Sequence, residues 1–396
     1  MNINQLGFYC ICKLNSPSIK KAYHETTILY FTFCDIGKFK DEKGQQDIVI
    51  WHFDVTKEYS KKELYIQDIA DVDYIPLETN DSMLWLGRDI AFFDDDHIIA
   101  ANPRTGVLIH NREGEALHSF HHLGGGPEEY RGLYFADYDK KEDEVYILSY
   151  SECKFYVFDC KGNYKRSFST GHGLKNPVGA FFLCGNEIVA YSRENTYTRL
   201  SKQTGEVIGR FAFGSDSKYG LSYNQNGMKV TCPTNYFIKD KDGYILSAFA
   251  SDTTWLLTPE MALRPIGVRT PSITTMEVPT FLLPIKNTSN YYFMYTVKKS
   301  TGYPMEMYML DKKEKQIYWL ASKLKNKDCK DQEVHLDMAG PISGANIPIN
   351  MSIQVLGASG LIEAYEDGRL SGKLKDIAVN LKDDDNPVLM IIKFKE

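Results

Sequence analysis

The stretch His97-Ile-Ile-Ala-Ala-Asn-Pro-Arg-Thr-Gly-Val-Leu-Ile-His-Asn-Arg-Glu-Gly-Glu-Ala-Leu-His-Ser-Phe120 contains three short, largely apolar runs separated by two turns. A second copy runs Val145-Tyr-Ile-Leu-Ser-Tyr-Ser-Glu-Cys-Lys-Phe-Tyr-Val-Phe-Asp-Cys-Lys-Gly-Asn-Tyr-Lys-Arg-Ser-Phe168, and a third begins at Glu187. β-Branched and aromatic residues dominate the runs, and Gly with Asn or Asp occupies the turns, as in antiparallel hairpins. The chain therefore repeats a unit of three strands.

The period of this repeat indicates the architecture. The first strands of five units align at intervals of 48, 42, 56 and 48 residues, at positions Ile98, Tyr146, Ile188, Tyr244 and Tyr292. Such a period is typical of propeller blades. A fourth, innermost strand is expected before each triplet. We therefore predict an all-β protein, a β-propeller with four-stranded antiparallel blades that spans residues 61–396 as one domain.

The ends of the chain predict how the ring closes. The segment Val72–Glu78 is strand-like but has no blade of its own, so we expect it to complete the outer edge of the last blade. Such pairing removes an exposed sheet edge and ties both ends of the propeller together. The last blade itself is degenerate: it has strand patterns at Leu361–Tyr365 and Asn386–Phe394 and a short C-terminal helix pattern at Leu370–Leu381.

The blade count follows from these units. Five full units and the composite last blade give a six-bladed propeller. Seven blades are the alternative, because residues 213–243 and 265–290 leave room for further strands.

Composition limits the function classes. The 396 residues are 43% hydrophobic and 25% charged, the balance of an ordinary globular protein, and they include 26 Tyr and 21 Phe. The net charge is −6, and Lys and Arg are scattered along the chain. We therefore expect no nucleic-acid partner. The eight cysteines show no zinc-binding spacing, and we expect free thiols.

The N-terminal segment, residues 1–60, does not share the repeat. In it, Lys20-Lys21 precedes the apolar run Thr27-Ile-Leu-Tyr-Phe-Thr-Phe33 and then Cys34, which resembles a bacterial lipoprotein signal with lipidation at the cysteine. The run is too short to span a bilayer, which needs about 20 residues, so we expect membrane contact only through a lipid anchor. The alternative is that residues 27–33 form an ordinary strand.

Three segments resemble a known family. They are Tyr74-Ile-Pro-Leu-Glu-Thr79, the loop Gly124-Gly-Gly-Pro-Glu-Glu-Tyr130 and Asn386-Pro-Val-Leu389. They are similar to six-bladed, NHL-like β-propeller lipoproteins of Gram-negative gut and oral anaerobes, over roughly residues 65–396. In that family the loop tends to carry a glycine where this chain has Glu128. The resemblance implies a propeller that is lipid-anchored in, or exported to, the periplasm or outer membrane, and it implies no particular activity.

The densest polar cluster lies in the same loop, between the first two blades. Its candidate ligand-binding residues are His121, His122, Glu128, Glu129, Tyr130 and Arg131. In that interpretation Tyr130 provides a stacking platform at one mouth of the propeller. In the alternative interpretation, the glycines and Pro127 simply make a tight crossover between blades.

A second candidate set lies near inner-strand positions, which converge on the central channel. Its members are Arg88, Asp89, Asp137, Arg193, Glu194 and Asp240. Carboxylates from several blades could hold an axial divalent cation there or act as acid and base, although a solvated channel lining is also ordinary structure. The Asp-rich runs Asp94–Asp96 and Asp383–Asn386 lack the calcium-loop pattern, and we expect loop tips.

These patterns favour binding over catalysis. No dinucleotide fingerprint, phosphate loop or nucleophile elbow is present in the sequence. We predict a non-catalytic binding or scaffold propeller of the cell envelope that recognises a glycan, peptide or partner protein through loops at one mouth. No cofactor is predicted. The alternative is a propeller enzyme of lyase or lactonase type with an axial metal site.

Overall fold

A computed structural model describes residues 29–30, 51–85, 90–173, 178–192, 196–213, 217–225, 228–231, 234–321, 324–336 and 346–396. These residues form a β-propeller in which most of the chain lies in short strands. In these ranges, no helix has the length and apolar character needed to cross a membrane.

The N-terminal part contributes short strands that join later sheets. In chain order they are β1 Leu29–Tyr30, β2 Trp51–Asp54, β3 Ser60–Lys61, β4 Leu64–Tyr65 and β5 Ala70–Pro76, with helix α1 Ile66–Ile69 between the last two.

Five blades each consist of four consecutive antiparallel strands, numbered from the inside outwards. Blade 1 contains β6 Ile90–Phe93, β7 His97–Asn102, β8 Gly106–Asn111 and β9 Ala116–Phe120; blade 2 contains β10 Phe135–Asp139, β11 Glu144–Ser149, β12 Lys154–Phe158 and β13 Tyr164–Ser169; blade 3 contains β14 Val178–Cys184, β15 Glu187–Ser192, β16 Thr196–Ser201 and β17 Val207–Ala212. After the hairpin β18 Ser222–Gln225 and β19 Met228–Thr231, blade 4 contains β20 Asn235–Asp240, β21 Gly243–Ala248, β22 Thr253–Leu257 and β23 Leu263–Thr270; blade 5 contains β24 Thr280–Asn287, β25 Tyr291–Lys298, β26 Met305–Asp311 and β27 Gln316–Leu320. The predicted inner strands and triplets are therefore confirmed.

Two three-stranded sheets complete the ring. Blade 6 combines β28 Leu324–Asn326 and β29 Cys329–Val334 with β4, and blade 7 combines β30 Met351–Leu356 and β31 Val388–Phe394 with β5. Helices α2 Ala358–Glu366 and α3 Gly372–Ala378 lie between the last two strands.

The blade count corrects the sequence prediction. When each sheet of three or more strands is counted as a blade, the described residues form seven blades, not six. Blade 6 escaped detection because β28 has only three residues and its neighbour β4 comes from far upstream in the chain. Blades 6 and 7 also have three strands instead of the predicted four.

The helical part of blade 7 needs a second correction. Residues 361–365, predicted as a strand, belong to α2. Their apolar side chains fit either structure over so short a run, and Leu361 and Ala364 lie on the buried helix face. The predicted helix near the C-terminus is confirmed as α3, although it ends at Ala378.

Packing between neighbouring blades forms the core. For example, Phe155 of blade 2 meets Phe181 of blade 3 edge to face, with ring centroids 4.8 Å apart. Both side chains are fully buried, as are Tyr146 and Ile188 beside them. Inner and middle strands are thus apolar on both faces, which explains their near-continuous hydrophobic sequence.

The N-terminal strands form a belt around the propeller. β1, β2, β3 and β4 pair in parallel with the outermost strands of blades 3, 4 and 5 and with β28 of blade 6. Phe53 of the belt is fully buried and packs against Tyr308 of blade 5, with ring centroids 5.0 Å apart. Residues 51–54 and 60, from the segment predicted to precede the propeller, therefore extend its sheets. Leu29 and Tyr30 lie in the predicted signal, which stays a prediction.

Ring closure follows the predicted route. β5 pairs with β31 over seven positions, from Ala70 opposite Phe394 to Pro76 opposite Val388. Asn386, just before β31, is almost fully buried. Its side chain accepts a hydrogen bond from Trp85 N at 2.7 Å and donates to two backbone carbonyl oxygens at 2.6 Å, those of Glu78 and Met83. The closure thus joins chain ends about 300 residues apart.

We expect Asn386→Ala to destabilise the closed ring. The change leaves one buried N–H and two buried carbonyl groups without their partner, which should cost about 2–4 kcal/mol of unfolding free energy. Urea unfolding followed by circular dichroism measures this loss. The control is Asn380→Ala, because Asn380 is exposed and its side chain bonds only Asp376 O. An equal loss in both variants would contradict the role of Asn386.

Candidate functional site

A cavity of about 390 Å³ opens at the mouth formed by the turns that follow β6, β10 and β14. We call it the axial pocket. Its lining combines four lysines, two aspartates, one asparagine and an apolar part: Lys140, Lys141, Lys202, Lys239, Asp94, Asp139, Asn346, Phe92, Phe93, Tyr138, Leu183, Gly185 and Pro348. These residues come from blades 1 to 4 and from the segment that precedes β30. The pocket therefore lies where inner strands converge on the propeller axis.

Asn346 connects opposite sides of this pocket. Its backbone pairs with the inner strand of blade 1, donating to Ala91 O at 2.9 Å and accepting from Phe93 N at 3.2 Å. Its side chain donates to Tyr138 O of blade 2 at 3.3 Å and accepts a hydrogen bond from the ammonium group of Lys239 in blade 4. Asn346 thus joins three blades across the axis, blade 1 through its backbone and blades 2 and 4 through its side chain.

Asp137 lies on inner strand β10 and is completely buried. Its two carboxylate oxygens accept hydrogen bonds from Tyr138 N at 2.7 Å and from Leu183 N of blade 3 at 3.1 Å. Burial raises the pKa of Asp137 to about 7, although these hydrogen bonds and the charge of Lys239 oppose the shift. Burial likewise lowers the pKa of Lys239, and Asp137 opposes that shift. The structure thus places the predicted channel residue Asp137 close to the pocket lysine.

The other lysines around the pocket already have carboxylate partners. Lys202 pairs with Asp139, and both side chains are largely buried. Lys140 pairs with Asp94 at 2.5 Å and also with Asp96. Because each of these lysines is neutralised locally, the pocket consists of fixed ion pairs around the ammonium group of Lys239.

A half-buried arginine fixes the position of Lys202. Arg166 of blade 2 binds both carboxylate oxygens of Glu144, at 2.6 and 2.7 Å, and donates to Lys202 O of blade 3 at 2.7 Å. Such a bidentate pair has a rigid geometry. The pocket wall between blades 2 and 3 is therefore held by side chains as well as by the strands.

One group within the described ranges has the composition of a metal site. Ligand atoms of Asp94, Asp96 and His97 lie within 4.8 Å of one another. All three belong to the turn after β6, where Asp94 accepts hydrogen bonds from Asp96 N at 2.8 Å and His97 N at 2.9 Å. Lys140 already pairs with both aspartates, and its single charge balances one of them. The prediction that the Asp94 run forms a loop tip is confirmed, since the run connects β6 and β7.

In the second acidic run, Asp383–Asn386, only the last residue departs from the predicted loop tip. Asp383, Asp384 and Asp385 are exposed or half-buried in the loop before β31, as expected. Asn386, in contrast, is buried in the ring closure. Its neighbours Trp85 and Met83 are too distant in sequence to have been recognised as partners.

The glycine-rich loop makes a compact crossover between blades 1 and 2. Tyr130 is fully buried and its backbone N donates to His122 O at 2.9 Å. His122 stacks on Phe158, with centroids 4.9 Å apart, and its Nε2 lies 2.8 Å from Gly162 O. Glu129 accepts a hydrogen bond from Gly126 N at 2.8 Å.

The remaining loop residues are more accessible. Glu128 and Arg131 are exposed, His121 is half-buried, and Arg131 N donates to Glu152 at 2.9 Å. None of the six candidate residues in this loop lines the axial pocket. The contacts are those of a structural crossover, and ligand binding by the loop stays a prediction.

The other candidates of the channel set fall into two groups. Asp240 ends the inner strand β20, where it accepts hydrogen bonds from Asn287 and, at 3.0 Å, from Asp242 N. It is not among the residues that line the axial pocket. Arg88, Asp89, Arg193 and Glu194 lie outside the described residues, as does the predicted lipidation site, Cys34.

Sequence reasoning missed Lys239, Lys202 and Asn346. The sequence did contain a signal for Lys239. This residue lies near the end of its inner strand, just before the turn, as Phe93 and Tyr138 do in blades 1 and 2. Aligning the innermost strands, instead of the second strands, would have grouped these positions. Nothing in the sequence near Asn346 marks its contact with residues more than 100 positions away.

We expect the unfolding free energy to depend on pH through Asp137. Because the pKa of Asp137 is raised from 3.8 to about 7, the folded protein binds its proton more tightly than the unfolded chain does. This stabilisation is complete below about pH 4 and is lost as pH rises towards 7, by at most about 1.4 kcal/mol per pH unit. Asp137→Asn should remove this slope, whereas the exposed-residue control Asp95→Asn should keep it. Urea unfolding between pH 5 and 8 measures the slopes, and equal slopes in all proteins would contradict the assignment.

Comparison with known proteins identifies the family. No curated protein matches the chain in sequence. Its fold is similar to that of a Bacteroides fragilis protein presumed to be exported, with a TM-score of 0.65 and 12% identity over 88% of this chain and 100% of that chain. A DUF4221 family member from Bacteroides vulgatus gives a TM-score of 0.47 and 10% identity over 83% and 99% of the chains. The model of a family described as a domain of unknown function, DUF4934, matches residues 51–393, and the chain therefore belongs to that family.

Proposed function

We propose that this protein is a non-catalytic binding propeller whose ligand enters the axial pocket. The observation that carries the proposal is the pocket itself, a cavity of about 390 Å³ whose wall comes from four blades. Lys239 lies on an inner strand, most of the other polar groups lie in the turns that follow strands, and the hydrogen bond between Asn346 and Lys239 links opposite sides of the pocket. Concave sites with a few fixed polar groups are typical of ligand binding.

The proposal places the protein in the cell envelope, where it recognises the end of a glycan, peptide or partner protein. Two observations support export. The segment before Cys34 resembles a lipoprotein signal, and a protein with a similar fold is presumed to be exported. A pocket that opens at one mouth admits a terminal group from a larger molecule while the rest remains outside.

The enzyme alternative is less well supported by the contacts. An axial metal site of the lyase or lactonase type needs ligands from several blades. Asp94, Asp96 and His97 come from a single turn, and Lys140 would have to leave both aspartates before a cation could bind. Binding, instead of catalysis, is therefore the function that we propose.

Two sets of variants distinguish the axial pocket from the glycine-rich loop. We expect Leu183→Trp, which fills the pocket, to weaken binding of any ligand found on a glycan array or peptide library by about tenfold or more. Glu128→Ala and Arg131→Ala, in the loop, should change affinity by less than about twofold. Melting temperatures verify that all variants fold. Loss of affinity in the loop variants but not in Leu183→Trp would show that the ligand binds at the loop. The absence of any ligand on the glycan array and in the peptide library would contradict glycan and peptide binding.

Lipidation is tested at Cys34. We expect the full chain, expressed in a Gram-negative host, to incorporate an alkyne-labelled fatty acid, and Cys34→Ala to abolish that label. Cys153→Ala provides the control, because Cys153 is a buried free thiol within blade 2 and should not affect labelling. Labelling that persists in the Cys34 variant would contradict the predicted anchor.

A further inference from the structure

We infer that the ligand group recognised in the axial pocket is a sugar acid whose single carboxylate pairs with Lys239. This inference rests on the proposed function, because it names the chemistry of the ligand in that same pocket.

Three of the four lysines that line the pocket have carboxylate partners. Lys140 is paired with Asp94 and Asp96, Lys202 with Asp139, and the exposed Lys141 with Glu142 at 3.4 Å. Lys239 differs from all of these. Its ammonium group donates to the neutral amide oxygen of Asn346 and forms no ion pair within 4 Å among the described residues.

The nearest counter-charge to Lys239 is a weak one. Asp137 influences Lys239 through space, but its carboxylate is buried and already accepts two backbone hydrogen bonds. An ammonium ion has three donors, of which Asn346 uses one. Lys239 therefore presents donors to whatever occupies the pocket, together with a positive charge that only the partly ionised Asp137 opposes at close range.

A single ammonium group without a carboxylate partner selects the type of anion. It matches a carboxylate, which carries one negative charge. A phosphate monoester carries nearly two negative charges. Arginine, whose guanidinium group commonly binds phosphate through two hydrogen bonds, is not among the residues that line the cavity. A second free cation would be needed to neutralise the phosphate. One ammonium group, in a lining whose other lysines are paired, thus favours a monoanion.

The rest of the lining suits hydroxyl groups and the face of a ring. Asp94, Asp139 and Lys202 surround the pocket with carboxylate oxygens and an ammonium group whose remaining acceptor and donor sites suit hydroxyl groups. Pro348 and Leu183 provide a small apolar wall for the C–H face of a ring. Several hydroxyls beside one carboxylate on a ring describe a sugar acid better than a peptide C-terminus.

The experiment compares matched acidic and neutral probes on the full chain. Glucuronate and galacturonate are titrated beside glucose and galactose by ligand-observed NMR at pH 7, and Gly-Gly-Gly beside its C-terminal amide. We expect the sugar acids to bind about tenfold or more tightly than the neutral sugars. The tripeptide should bind more weakly than either sugar acid.

Two variants test the role of Lys239 itself. Lys239→Met keeps a long side chain but removes the charge, and Asn346→Asp keeps the lysine but gives it a permanent carboxylate partner. Both should reduce sugar-acid affinity by about tenfold and leave neutral-sugar affinity unchanged. Lys241→Met, in the exposed turn after β20 and outside the pocket lining, is the matched control and should change affinity by less than about twofold. Thermal melting confirms folding, and the two Lys239-directed variants provide independent tests.

The outcomes separate this inference from the proposed function. Equal binding of acidic and neutral sugars, or an unchanged preference in both Lys239-directed variants, overturns the sugar-acid assignment. Tighter binding of the tripeptide than of its amide and of the sugar acids also overturns it, in favour of a peptide C-terminus. In each of these cases, loss of binding in Leu183→Trp would still support the pocket as the binding site.

Discussion

The pairing of β5 with β31 is the constraint on which the rest of the structure depends. Its seven matched positions bring the start of the propeller to the end, and Asn386 holds the crossing backbone in place. A ring of blades has converging inner strands only when it is closed. Asn346 and Lys239, which belong to opposite parts of the ring, meet because closure fixes that convergence. The pocket is therefore a consequence of an interaction between the termini of the propeller.

The electrostatics of the pocket differ from those of the whole chain. The protein carries a net charge of −6, yet four lysines line this cavity. Most of their charge is balanced by nearby aspartates, so the site combines high polarity with a small net charge. Because Asp137 and Lys239 are buried, the protonation state of each depends on its surroundings. A pocket of this kind discriminates ligands by their charge more than by their apolar surface.

Local sequence patterns predicted those parts of the fold that depend on residues close together in the sequence. Strands such as β7 and β11 followed from apolar runs and Gly turns, and even the pairing of Tyr74 with Met390 was anticipated by completing the last blade. Blade 6 was missed, because β28 and β4 are short strands from distant parts of the chain. The site was only partly predictable for the same reason. Asp137 could be assigned to an inner strand, whereas the contact between Asn346 and Lys239 exists only in the folded ring.

The belt of N-terminal strands has a mechanical consequence. A pull on the chain upstream of Trp51 acts first on β2, whose hydrogen bonds to β23 lie across the direction of the chain and are loaded together in shear. The burial of Phe53 between blades 4 and 5 adds resistance at the same place. Force would reach the closing strand β5 only after β2, β3 and β4 had detached from their blades. A tether at this end can thus bear tension while the axial pocket keeps its shape.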